Sequence, residues 1–252
     1  MKKITVVISL FFLVSFVWGE QIPEKNTTSG NPKKIINEKK YFVANQYGLR
    51  LEWDGLDGKL ELLQDKAFKN WKNPGSRKEG NFQMSENYAK NFKPALLQLR
   101  NTEGRIVETK DLKSVWFNPI WITLGNEDLY GTGRTSYFVQ QDNEIGSGSG
   151  QGTYCRYFDV VKGKIVWLKA KDNKTGKVHP IDLNSNMLYI WKSVPSPKGK
   201  GKILLQRWPD YPKHTTHYER YEFNGHEWIK YERVEKGSKD SEDTFPDISA
   251  FN

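Results

Sequence analysis

The stretch HYERYEFNGHEWIKYERVE, residues 217 to 235, interleaves aromatic and apolar residues with charged ones on both sides of Asn224-Gly225. Such alternation marks a half-buried strand, and Asn-Gly suits the two positive φ angles of a type I′ turn, so a β-hairpin is predicted here. The same pattern recurs along the chain. It is found in LRLEWDGLDGKLELL (49 to 63), in PALLQLRNTEGRIVETKDL (94 to 112) and in YCRYFDVVKGKIVWLKA (154 to 170), where Lys162-Gly163 supplies the turn.

The second half is repetitive. GRTSYFVQQD (133 to 142) precedes a Gly/Ser-rich loop, a strand, a Lys-Gly turn and a Trp-bearing strand; GKILLQRWPD (201 to 210) precedes a Pro/His/Thr-rich loop, a strand, the Asn-Gly turn and another Trp-bearing strand. Units of this kind stack side by side to bury a common face. The predicted fold is therefore all-β: blade-like antiparallel hairpin repeats arranged as a small or incomplete β-propeller or as a two-sheet β-sandwich. One β-rich domain is expected over 41–237, with a hairpin subregion at 41–112 and repeat-like units at 115–175 and 186–237. The polar, Gly/Pro-punctuated tract 65–92 reads as a long connection with one short helix near its end.

The ends read differently. Residues 1–19, two lysines followed by an apolar run from Ile4 to Trp18, have the form of a secretory signal peptide, too short for a standard membrane span. Residues 20–40 read as a flexible leader, and 238–252 as a short acidic tail. The expected location is secreted or periplasmic, in a bacterial cell, with no transmembrane segment in the mature chain. Cys155 is the only cysteine, which excludes an intramolecular disulfide. The fold must be held by its own core.

The chain has 39 Lys and Arg against 30 Asp and Glu; loss of Lys2 and Lys3 with the leader leaves a formal charge of +7. A moderately basic exported protein suits an acidic protein or an anionic glycan of the cell envelope. Nucleic acid is not favoured, because the basic residues are spread out and not concentrated in one stripe.

EDLYGTGRTSYFVQQD (127 to 142) resembles the Asp-x-x-Gly-x-Gly loop of FG-GAP repeats, the calcium-associated units of integrin-type propellers, through Asp128, Gly131 and Gly133. The resemblance implies a propeller-like strand arrangement and makes Asp128 the candidate metal ligand. Tyr130 and Thr132 stand where the family places further acidic residues, and calcium wants six to eight oxygen ligands. Calcium is therefore disfavoured and no cofactor is expected. From about 115 to 237 the chain is also similar to uncharacterised exported bacterial proteins carrying such a loop, a GSGSG loop and a late Asn-Gly hairpin.

The glycines of NEIGSGSGQGTYCRYF (143 to 158) lead into a strand, whereas a phosphate-binding loop needs a helix behind it. They read as a turn. The tract does not place serine at the centre of a nucleophile elbow, and Cys155 sits inside a predicted strand as an inert thiol. His214 and His217 are three apart, which on a strand sends them to opposite faces. His226 is placed near His217 across the hairpin.

Eight tryptophans remain in the mature chain, most of them in alternating strands where core packing explains them. Trp208, beside Pro209, and Trp71, in a polar tract, are the expected exposed contacts. With Arg207, Tyr211 and Tyr218, Trp208 would form an aromatic and basic patch of the composition that dominates binding interfaces, with Arg156 at the rim of the glycine loop as a further binding candidate. The expected function is a non-catalytic exported binding protein, with an inhibitor or immunity protein as a concrete form. The alternative is a cell-wall or polysaccharide hydrolase using Asp128, Asp142 and Glu144.

Overall fold

A computed structural model of the protein describes residues 38–69, 93–112, 122–143, 152–186, 189–237 and 245–251. Residues 1–37, read above as signal and leader, most of the connection after 69, the glycines from 146 to 150, Trp71 and Glu144 lie outside the described residues.

The hairpins assemble into three open sheets. The first runs up and down through β1 (Tyr41–Leu49), β2 (Gly58–Asp65), β3 (Leu96–Asn101) and β4 (Ile106–Asp111). The second is built from β5 (Ile122–Glu127), β6 (Ser136–Asn143), β7 (Gly152–Val161) and β8 (Lys164–Trp167). The chain then places β9 (Lys169–Asp172) and β10 (Val178–Pro180) at the edge of the third sheet and returns β11 (Asp182–Asn186) to pair with β7. The third sheet proper is β12 (Ile190–Pro195), β13 (Lys202–Asp210), β14 (Thr215–Phe223) and β15 (Trp228–Lys236), with β9 parallel to β15 and the other pairings antiparallel. No described helix is long and apolar enough to cross a membrane.

The middle sheet is buried on both faces, and its strand period explains why. Tyr137, Val139, Phe158 and Val160 point into a core shared with Leu60, Leu62, Leu97 and Leu99 of the first sheet. Cys155 and Tyr157, alternating with them, point into a second core with Leu204, Tyr221 and Trp228 of the third. Burying each such large apolar side chain contributes about 1.5–3 kcal/mol, so these two layers hold the stack without a disulfide. The arrangement is that of three consecutive propeller blades or a three-layer sandwich; the two-sheet alternative is one sheet short. Side chains join the sheet edges where ladders stop. Asn45 and Tyr47 of β1 donate to the Leu124 carbonyl of β5 at 2.9 and 3.1 Å. On the other side the Glu108 carboxylate of β4 accepts the Ile165 N–H of β8.

Two turns differ from the sequence expectation. The Asn224-Gly225 connection is a four-residue turn, 224–227, in which the Asn224 side chain accepts from the N–H groups of His226 and Glu227, and Gly225 alone has positive φ. The asparagine amide caps the turn and removes the need for two left-handed residues. Lys162-Gly163 instead takes both positive φ angles, 50° and 72°. In the first hairpin, residues 51–54 form a helical turn, α1 (Leu51–Asp54), not the end of a strand. The buried Asp54 carboxylate accepts the Arg50 N–H at 2.9 Å, and Gly55 closes the turn in the left-handed region.

The strand connections at 50–57, 128–135 and 196–201 meet at one end of the stack. The second and third touch backbone to backbone: a Cβ on Gly131 would stand 2.1 Å from the Gly201 nitrogen, and one on Gly201 2.4 Å from the Leu129 carbonyl oxygen. Lys202 N–H donates to that same carbonyl at 2.9 Å. Trp53 of α1 lies against Gly133.

Candidate functional site

The 128–133 loop is organised by one carboxylate. Asp128 Oδ1 accepts from the N–H groups of Tyr130, Gly131 and Thr132 at 3.1, 2.7 and 3.3 Å, and Oδ2 from Gly133 at 2.7 Å. Both oxygens are therefore engaged by the loop's own backbone. Behind it, buried Asp159 accepts from Tyr130 Oη at 2.7 Å, Arg134 Nη2 at 2.8 Å and Ser136 Oγ at 2.8 Å. Burial and the Asp159 charge together push the Tyr130 phenol well above its ordinary range. The tract fastens layers together. Among the described residues no cluster of His, Cys, Asp and Glu is arranged to hold a metal.

A different site lies at the end of the third sheet where Asp210 and Thr215 are joined. The tight turn 211–214 sets the register that places Trp208 opposite His217, and His217 opposite Val234. The Trp208 and His217 rings stack face to face, 3.9 Å apart and within 6° of parallel. Tyr189 continues the ladder on the other side of Trp208 at 6.4 Å and 11°. His217 is held through Nδ1 by Glu232 at 2.7 Å, while Nε2 faces Thr215 Oγ1 at 3.5 Å and Asp210 at 3.8 Å. Asp210 is itself bonded to Lys213 Nζ at 2.9 Å, and that hydrogen bond draws its carboxyl below the usual range.

These contacts make an aromatic edge bordered by exposed charge. Tyr211 and Val234 are 40% and 51% exposed beside it, and the Lys213 side chain is largely in solvent. The plane of Trp208 facing His217 is covered, and Trp208 as a whole is half-buried.

The predicted patch is thus divided. Trp208 and Tyr211 belong to this end of the sheet, but Arg207 and Tyr218 are fully buried, at 0% and 1% exposure, on the opposite face. Residues 207 and 208 are neighbours in sequence and therefore point to opposite sides of the strand. Arg156 belongs to the second sheet, in an ion pair with Asp182 across β7 and β11, its guanidinium 5.7 Å from the Trp167 ring centre. Asp142 lies in β6 opposite Thr153, and His226 sits in the 224–227 turn at the far end of β14 from His217. His217, Glu232 and Tyr189 are site residues that the sequence reading missed. A four-residue turn at 211–214 would have given the register and paired Trp208 with His217.

Compared with protein-family models, with curated proteins and with solved structures, the chain matches none.

Proposed function

We propose that the chain is a non-catalytic exported binding protein of the bacterial cell envelope, and that it engages a protein partner through the Tyr189–Trp208–His217 end of the third sheet. The carrying observation is the Trp208–His217 stack, clamped by Glu232. A tryptophan immobilised before binding loses little rotamer freedom on association, and tryptophan at the centre of a patch supplies much of an interface's energy. A sugar would need an open indole face, and His217 covers one of them. A partner's side chains can instead pack on the ring edges and on Tyr211 and Val234, while Lys213 favours an acidic neighbour.

The hydrolase reading loses Asp128, whose oxygens are spent on four backbone N–H groups. The test is affinity capture from an envelope extract of the producing cell with residues 20–252, beside Trp208→Ala/Tyr211→Ala. The reading expects a discrete partner that the variant retains at least tenfold less well, with unchanged circular dichroism. Equal retention by both proteins would move the site elsewhere; shortened polysaccharide in the retained material would restore the hydrolase.

A further inference from the structure

The outer face of the third sheet, opposite the Trp208 stack, has its own occupant. Ile203 and Leu205 of β13 and Tyr218 of β14 are 0%, 2% and 1% exposed there, although among the described residues no further sheet lies over them. Residues 245–251 pack on this face. Phe245 meets Tyr218 edge-on at 6.4 Å and lies under the Lys192 ammonium at 4.5 Å. Arg220 Nη1 donates to the Ile248 carbonyl at 2.8 Å, and its guanidinium lies between the Tyr231 ring, at 4.2 Å, and the Phe251 ring, at 5.7 Å. Phe251 is fully buried. Asp247 starts the single 3₁₀ turn of the segment by accepting from the Ser249 N–H at 2.9 Å.

The attachment has the form of peptide recognition: two aromatic anchors six residues apart, one backbone carbonyl read by an arginine, and a helical turn between them. The charges match as well. The face carries Lys192, Arg207, Arg220 and Arg233 against Glu222 and Glu235, which pair with Arg220 and Arg233 at 3.6 and 2.8 Å and leave the face net positive, and the segment with its preceding residues carries Asp240, Glu242, Asp243 and Asp247. We propose that the outer face of the third sheet is a peptide-binding site, occupied in cis by residues 245–251, that accepts an acidic peptide bearing two such phenylalanines from a partner protein. The cis segment acts at high effective concentration, so it closes the site until a competing peptide displaces it.

The test uses the full chain and a fluorescein-labelled peptide of residues 240–252, DSEDTFPDISAFN, followed by anisotropy. Phe245→Ala/Phe251→Ala should bind the peptide at least tenfold more tightly than the unaltered protein, whose own segment competes. Adding Arg220→Ala, or replacing both phenylalanines of the peptide, should abolish binding. The proposal is overturned if the double variant keeps amide protection in β13 and β14 yet takes up no peptide. It is equally overturned if the two proteins bind alike or if the peptide without phenylalanine binds as well. Should the double variant lose β13 and β14 protection, amide exchange of the unaltered protein decides. Exchange at 248–251 at least tenfold faster than in β13 and β14 supports a displaceable segment, and exchange at one common rate overturns it.

Discussion

Replacing Gly201 by alanine tests whether the second and third sheets are joined through their loops, and Gly199 provides the matched control. Both glycines have left-handed φ, 69° and 78°. An alanine in that region costs about 1–2 kcal/mol, partly offset by a less flexible unfolded chain. At Gly199 nothing lies within 4 Å of the new methyl group, so that conformational cost is all the substitution brings. At Gly201 the methyl would stand 2.4 Å from the Leu129 carbonyl oxygen and 2.8 Å from the Tyr130 carbonyl carbon, both of them backbone atoms. Relief requires the loops to part by roughly 1 Å, given contact distances of about 3.5 Å. That movement sacrifices the 2.9 Å bond from Lys202 N–H to Leu129, worth about 0.5–1.5 kcal/mol, and loosens buried Leu129. Gly201→Ala should therefore destabilise the protein by about 1–2 kcal/mol more than Gly199→Ala. Urea unfolding read by tryptophan fluorescence measures the difference as a shift in midpoint at constant slope. Equal midpoints for the two variants would refute the interlocked-loop reasoning.

Three further outcomes follow from single side chains. Asp128→Ala removes the acceptor of four loop N–H groups, three of them open to water, and should cost about 1–2 kcal/mol, while a chelator should leave the unaltered protein's melting temperature where it is; a loss below about 0.5 kcal/mol would contradict the assigned role. The Cys155 thiol, 2% exposed and pushed well up by burial and then by the Glu127 charge, should resist a thiol reagent at pH 8 in the native protein and react fully in urea. Rapid native labelling would show that the second core opens. Burial raises the Asp54 carboxyl above its ordinary value, so its favourable contribution is complete below about pH 3.9 and is lost as pH rises through the folded-state value. Asp54→Asn keeps an acceptor for Arg50 and should gain stability relative to the unaltered protein at pH 7, with the gap closing towards pH 4; a gap that widens on acidification would reverse the assigned sign.

The strands were legible because their chemistry is local. The alternation around Lys162-Gly163 and in 94–112 marks hairpins that the structure forms, and the Gly133 to Asp142 and Gly201 to Asp210 correspondence falls on β6 and β13. What the sequence obscured depends on partners far along the chain. Arg207 reads as exposed because arginine seldom lies buried, yet it lies fully buried on the outer face opposite Tyr218, which Phe245 meets. Those residues read as an acidic tail because Asp240, Glu242, Asp243 and Asp247 set the composition of 238–252 and Pro246 interrupts any strand between Phe245 and Phe251. The Asn224 amide bonds and the Asp128 cage illustrate the opposite lesson: short polar side chains choose among several turn geometries, and the composition of the turn alone does not select one.

The most direct test of the binding role places a photo-crosslinking phenylalanine analogue at exposed Tyr211 and, as a control, at exposed Val178 of β10, in the protein made by its own cell. A discrete protein adduct is expected from position 211, absent from position 178 and lost on Trp208→Ala. Adducts of equal yield from both positions, or none from 211 in a folded and exported protein, would contradict it.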